Sequence, residues 1–139
     1  MKKLLVVLCL LLVIAVPVMA SSLSTEVLPG LEAGLIGAEA GFYYNVPTDQ
    51  IYNGVQTPII DYKDCLNLGI GTLVNYGETP PIIAGFNGNV NNIFSKISGV
   101  TVKLPANSYV TVFVGWDLSK AKGEEGRHLF GWAWNFPLK

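Results

Sequence analysis

The chain has 139 residues, half of them hydrophobic and only 14% charged, with a formal net charge of −1. An ordinary soluble domain carries roughly 25% charged residues, so this is an apolar chain of single-domain size. It has no basic excess to meet a phosphate backbone, which excludes nucleic acid as an expected partner.

The first twenty residues hold part of the apolar excess. Met1-Lys2-Lys3 is a basic start, Leu4 to Val18 is an apolar core broken by Cys9 and Pro17, and Val18-Met19-Ala20 precedes Ser21 as a cleavage site. The pattern predicts a secretory signal peptide over 1–20, whose core is short for a span of about 20 apolar residues. Its removal leaves 7 basic against 10 acidic residues, a net charge of −3, and Cys65 as the one remaining cysteine. A single cysteine makes no internal disulfide; a half-buried place near a turn is expected, with an intermolecular bridge as the alternative. No second apolar run approaches about 20 residues, so the mature chain could cross a bilayer only as a closed barrel of strands.

Residues 21–30 are polar and end in Pro29-Gly30, which predicts a flexible leader and a turn. Residues 31–46 are expected as the first strand, and from Ile36 the chain alternates. Ile36, Ala38, Ala40, Phe42, Tyr44 and Val46 share one face; Gly37, Glu39, Gly41, Tyr43 and Asn45 share the other. That is the strand period. Residues 47–54, with Pro, Asp, Asn and Gly, are expected as a loop. Residues 55–62 form a weaker strand, and Pro58 makes it an edge or a bulged one. After the polar turn Asp61-Tyr62-Lys63-Asp64, residues 66–76 alternate again, and 81–89 form a shorter strand beyond Gly77 to Pro81. Val90, Ile93, Phe94 and Ile97 then follow helical spacing, with Gly99 as the stop. A short amphipathic helix over 90–98 is expected, serving as a connector on the sheet edge or as an interfacial helix or plug at one mouth. Residues 100–104 are expected to add a short strand before the turn at Pro105-Ala106-Asn107.

The last two strands, 108–118 and 128–138, are the clearest. Val110, Val112, Val114, Trp116 and Leu118 share a face, as do Phe130, Trp132, Trp134, Phe136 and Leu138. Their opposite faces carry Gly, Ala, Thr and Asn rather than Lys or Glu. This is the pattern of a strand whose large apolar face meets lipid and whose small face lines a narrow interior. Setting Leu118 opposite His128 pairs Val114 with Trp132, Val112 with Trp134 and Thr111 with Asn135. A slip by one residue would put Asn135 and Asp117 among the aromatics.

These strands of about ten residues, behind a signal peptide and with aromatics near strand ends, resemble small bacterial outer-membrane β-barrel proteins. The resemblance implies an all-β fold: an antiparallel up-and-down meander over 31–139 closing into a small barrel of six to eight strands, alone or shared between subunits. It also implies both termini and the helix at one end, and loops 47–54, 77–80 and 119–127 at the other. The smallest familiar single-chain barrel has about eight strands, and the chain ends on Phe136-Pro137-Leu138-Lys139 rather than on an aromatic residue.

Chemistry-bearing residues are few. His128 is the only histidine, expected as an exposed loop-edge residue off Asp117's face, and no catalytic, metal or cofactor set is expected. Glu39, Tyr43, Asn67, Asn75, Thr111 and Asn135 are the expected interior or pore-lining residues. Glu39 would pair with a cation such as Lys63 or Lys103, or would face water in a narrow pore. Tyr44, Trp116, Trp132 and Trp134 are the expected membrane-interface residues. The expected function is a non-enzymatic outer-membrane barrel with a structural or surface-interaction role, its partners the lipid bilayer and a second copy of the chain. The alternatives are a narrow channel or porin-like subunit closing as an oligomer, and a periplasmic or secreted soluble β-sandwich that binds a partner.

Overall fold

A computed structural model of the protein describes residues 29–138; the expected signal peptide over 1–20 and nearly all of the leader over 21–30 lie outside them. Six strands make the body: β2 (Ala38–Asn45), β3 (Gln50–Tyr62), β4 (Leu66–Leu73), β5 (Ile83–Asn89), β6 (Tyr109–Asp117) and β7 (His128–Leu138). A three-residue strand, β1 (Leu31–Ala33), precedes them, so the expected strand over 31–46 is broken in two, with Gly34 and Gly37 at positive φ between the pieces. All pairings are antiparallel, in the order β3-β2-β7-β6-β5-β4, and β4 pairs back onto β3. The result is a six-stranded barrel closed within one chain, so closure needs no second copy. β1 is an extra outer strand that pairs the far end of β3 beyond β2, with Leu31 opposite Tyr62.

The faces follow the alternation. Thr111, Phe113, Gly115 and Asp117 of β6 and Leu129, Gly131, Ala133 and Asn135 of β7 are buried, while Val112, Val114, Phe130, Trp132 and Trp134 are exposed. The large stripe therefore faces outward and the small stripe inward. Six strands enclose less room than the eight that side chains just fill, so glycine is common on the inner face. A Cβ at Gly131 or Gly71 would overlap the backbone oxygen of Tyr44 or Val55 on the neighbouring strand, and one at Gly85 would stand 2.5 Å from the oxygen of Val114. The apolar core is small: Tyr43, Tyr52, Leu73, Phe113, Leu129 and Ala133, with Tyr76 and Ile83 packed against it.

The structure corrects several expectations. β3 begins at Gln50 instead of 55, because Asn53-Gly54 is not a turn. Gly54 lies inside β3, where a Cβ would come within 2.8 Å of the Tyr43 ring. β4 ends at Leu73, short of 76. Pro58 does mark a bulge, with the register shifting between Pro58 and Ile60. Residues 100–104 form no strand: closure pairs the barrel strands with one another, and the end of β3 that β2 leaves open is taken by β1. The β6–β7 register also differs by two residues. Val112 lies opposite Trp132, Val110 opposite Trp134 and Thr111 opposite Ala133. An even shift leaves every side chain on its face, so alternation could not choose between the two.

Helix α1 (Val90–Ser98) stands where its spacing predicts. The Asn89 side chain accepts from the amide of Asn92 as N-cap, and Gly99 ends the helix in the left-handed conformation at φ 73°. α1, the β3–β4 turn and the start and end of the barrel share one end. The β2–β3, β4–β5 and β6–β7 loops share the other, with the charged segment Ser119–Arg127 among them.

Candidate functional site: the barrel interior and its helix-end cavity

The interior has two zones. Towards the loop end lies the apolar core. Below it, a chain of side-chain amides runs across the barrel. The Asn135 amide donates to the Thr111 hydroxyl at 2.9 Å, and its oxygen accepts from the Tyr43 hydroxyl at 3.1 Å. Gln56 donates to the Asn135 oxygen at 3.4 Å and to the Glu39 carboxylate at 3.2 Å. Asn87 donates to Gln56 at 3.1 Å and to Asn67 at 3.0 Å. Thr111 and Asn135 have no solvent exposure. Each of these groups would cost free energy buried alone; linked, they fix a single arrangement.

Beneath the amides a cavity of about 400 Å³ opens at the helix end. Glu39, Asp61 and Asp64 line it together with Lys103, Tyr109 and the amides Asn67, Asn89, Asn91 and Asn92. Asp61 is nearly buried and accepts from the amide of Asp64 at 2.9 Å. Three carboxylates against one ammonium give the wall negative charge, and the amides offer both donors and acceptors. Such a wall can hold a small polar or cationic solute by hydrogen bonds. Its serine hydroxyl is engaged elsewhere: Ser108 donates to the Pro105 carbonyl at 2.6 Å. Among the described residues, no group of three or more His, Cys, Asp or Glu is placed to hold a metal ion.

Of the expected interior residues, Tyr43, Thr111 and Asn135 meet in the amide chain, and Glu39 and Asn67 join it to the cavity. Asn75 is placed elsewhere. β4 has already ended, and the exposed Asn75 ties β3 from the loop end, accepting from the amide of Asn53 at 2.6 Å and donating to the Ile51 carbonyl at 3.3 Å. Of the cations considered for Glu39, Lys103 shares the cavity wall, while the Lys63 ammonium sits 5.2 Å above the Tyr62 ring. The sequence reading missed Gln56 and Asn87, the two amides that connect the halves. Gln56 shares its face, at period two, with Tyr52 and Gly54, an alternation that begins at Gln50 and so falls within the expected loop over 47–54.

The expected interface residues all lie on the outer wall. Tyr44 stacks on Trp132 with ring centroids 5.9 Å apart, Trp134 packs against Phe136 at 4.9 Å, and Trp116 meets Phe86 edge-on at 6.2 Å. His128 is exposed on the same outer face beside Trp116, whereas Asp117 is buried inside and accepts from Ser119. The two lie on opposite faces of the wall. Cys65 is half-buried beside the β3–β4 turn.

Between its ends the outer wall carries no ionisable carboxylate, ammonium or guanidinium. From Ala38 in β2 to Leu138 in β7, the outward strand positions hold Ala, Val, Ile, Leu, Phe, Tyr, Trp and a few uncharged polar residues, with His128 at the loop-end rim. Phe42, Ile51, Val55, Phe86, Val112, Val114, Phe130 and Trp132 are all at least 40% exposed. Among the described residues, the charged side chains are confined to the two ends and the interior. Comparison of the chain with protein-family models, with curated proteins and with solved structures returned no match.

Proposed function

We propose that the protein is a small cell-envelope β-barrel seated in the outer membrane, non-enzymatic, with a structural or surface-interaction role carried by the loops opposite α1. The observation that carries this reading is the uncharged outer wall. An antiparallel barrel in water would alternate apolar-in with polar-out, and soluble monomers rarely expose contiguous apolar patches beyond a few hundred Å². Here the alternation is inverted, with amides inside and aromatics outside, as a strand in hydrocarbon requires. Strands of 7 to 13 residues bracket the roughly 9–11 that cross a bilayer when tilted. Among the described residues no helix is long and apolar enough to cross, so a crossing by them would use the strands.

The filled interior weighs against the channel reading, since Thr111, Ala133 and Asn135 close the cross-section. The experiment is expression in a bacterium with two membranes, followed by fractionation and electrophoresis of heated and unheated samples in detergent. The protein is expected in the outer-membrane fraction, with an unheated band that migrates apart from the heated one. Recovery without detergent from the periplasm or the medium, with no heat-dependent shift, would overturn the proposal.

A further inference from the structure

Helix α1 is turned the wrong way round for a helix that packs on its own domain. Amphipathic helices of globular proteins bury the apolar arc and leave the polar arc to water. In α1 the polar arc holds the barrel. The Asn91 side-chain oxygen accepts from the amide of Val110 at 2.9 Å, the Asn92 amide donates to the Asp64 carbonyl at 2.7 Å, and the Lys96 ammonium donates to the Lys63 carbonyl at 2.9 Å. Asn91 and Asn92 also face the polar cavity. The apolar arc is left outside: Val90, Phe94 and Ile97 are exposed, Ile97 to 82%, and the helix has no buried residue. A helix of nine residues does not stand alone in water. Its two caps and these three bonds hold it in this orientation.

We infer that α1 is an interfacial anchor: its Val90–Phe94–Ile97 face is occupied by the headgroup–acyl boundary of the leaflet that meets the helix end of the barrel. This rests on the proposed seating of the barrel in a bilayer. Two observations select lipid as the occupant. The apolar arc is continuous with the outer wall, because Ile93 reaches the outward position of Gly88, where a Cβ would lie 3.6 Å from Ile93 and 3.7 Å from Leu66. The rim at this level also carries interfacial residue types. Tyr62 points outward with the Lys63 ammonium over its ring, and Lys96 lies in the last turn of α1, so two ammonium groups stand at the rim where anionic headgroups would lie. An interfacial helix sinks its apolar face by about 5–10 Å.

The test uses the full chain, with Cys9 and Cys65 replaced by serine, refolded into vesicles of phosphatidylethanolamine and phosphatidylglycerol. A nitroxide is attached in separate variants at Ile97→Cys on the helix and at Val112→Cys on the barrel wall. Collision rates with oxygen and with a water-soluble nickel complex then report the depth of each label. Both labels are expected to favour oxygen, the Ile97 label at shallower depth than the Val112 label. If the Val112 label favours oxygen and the Ile97 label favours nickel, the anchor is overturned and the seated barrel stands. If both favour nickel, the seating itself fails and the anchor falls with it.

Discussion

Gly131 of β7 and Tyr44 of β2 lie so close that a single added carbon on Gly131 would overlap the Tyr44 carbonyl oxygen. The obstacle is backbone and cannot rotate away. Overpacking an interior costs about 1–3 kcal/mol where side chains yield. Gly131→Ala is expected at or above the top of that range, as a lowered urea midpoint for the folded barrel. Gly88→Ala is the control: its added carbon would face outward, no nearer than 3.6 Å to its surroundings. There alanine is expected to be neutral or stabilising by up to about 1 kcal/mol, because glycine in a strand loses more entropy on folding.

The outer wall offers a discrimination between lipid and water. Val112 is 56% exposed at mid-strand on that wall. In water, lysine at such a site would change stability by no more than about 0.5 kcal/mol. In a bilayer, lysine near the midplane costs about 2–4 kcal/mol. Val112→Lys is therefore expected to lower the unfolding free energy in vesicles by that larger amount, measured by urea titration of tryptophan fluorescence.

The amide chain is expected to behave as a unit. Asn135→Leu strips a partner from both the Tyr43 and the Thr111 hydroxyl. Each buried group left unsatisfied costs about 1–3 kcal/mol. Tyr43→Phe alone is expected to cost about 0.5–1.5 kcal/mol. In the Asn135→Leu background the same change should cost nothing or stabilise, because the hydroxyl it removes has already lost its partner. A double-mutant cycle on unfolding free energies measures this coupling.

Register can be read by oxidative crosslinking. Directly paired positions across an antiparallel ladder fall within disulfide range, while positions two residues off lie at about 7–8 Å. The double variant Val112→Cys with Trp132→Cys is expected to crosslink in the folded barrel. Val114→Cys with Trp132→Cys is expected to remain reduced, since Val114 lies opposite Phe130.

Alternation along the chain determined, without any structure, which side chains stand together: Val112 with Val114, Trp132 with Trp134, Thr111 apart from both. Side-chain direction in a strand is a local property of the backbone, repeating every two residues whatever lies alongside. The helix at Val90–Ser98 was legible for the same reason, its apolar spacing and its glycine stop being local too. What a strand pairs with, and where it stops, is not local. A two-residue shift of β7 keeps every face, so the choice between Trp132 and Trp134 as the partner of Val112 fell to the tertiary structure. Asn53-Gly54 carries the composition of a turn, yet Gly54 is needed small because Tyr43 lies over it. The sequence left open whether α1 rests its apolar or its polar arc on the barrel. That was decided by carbonyls at Lys63 and Asp64 and the amide of Val110, groups that become unpaired at a barrel rim only once six strands have closed.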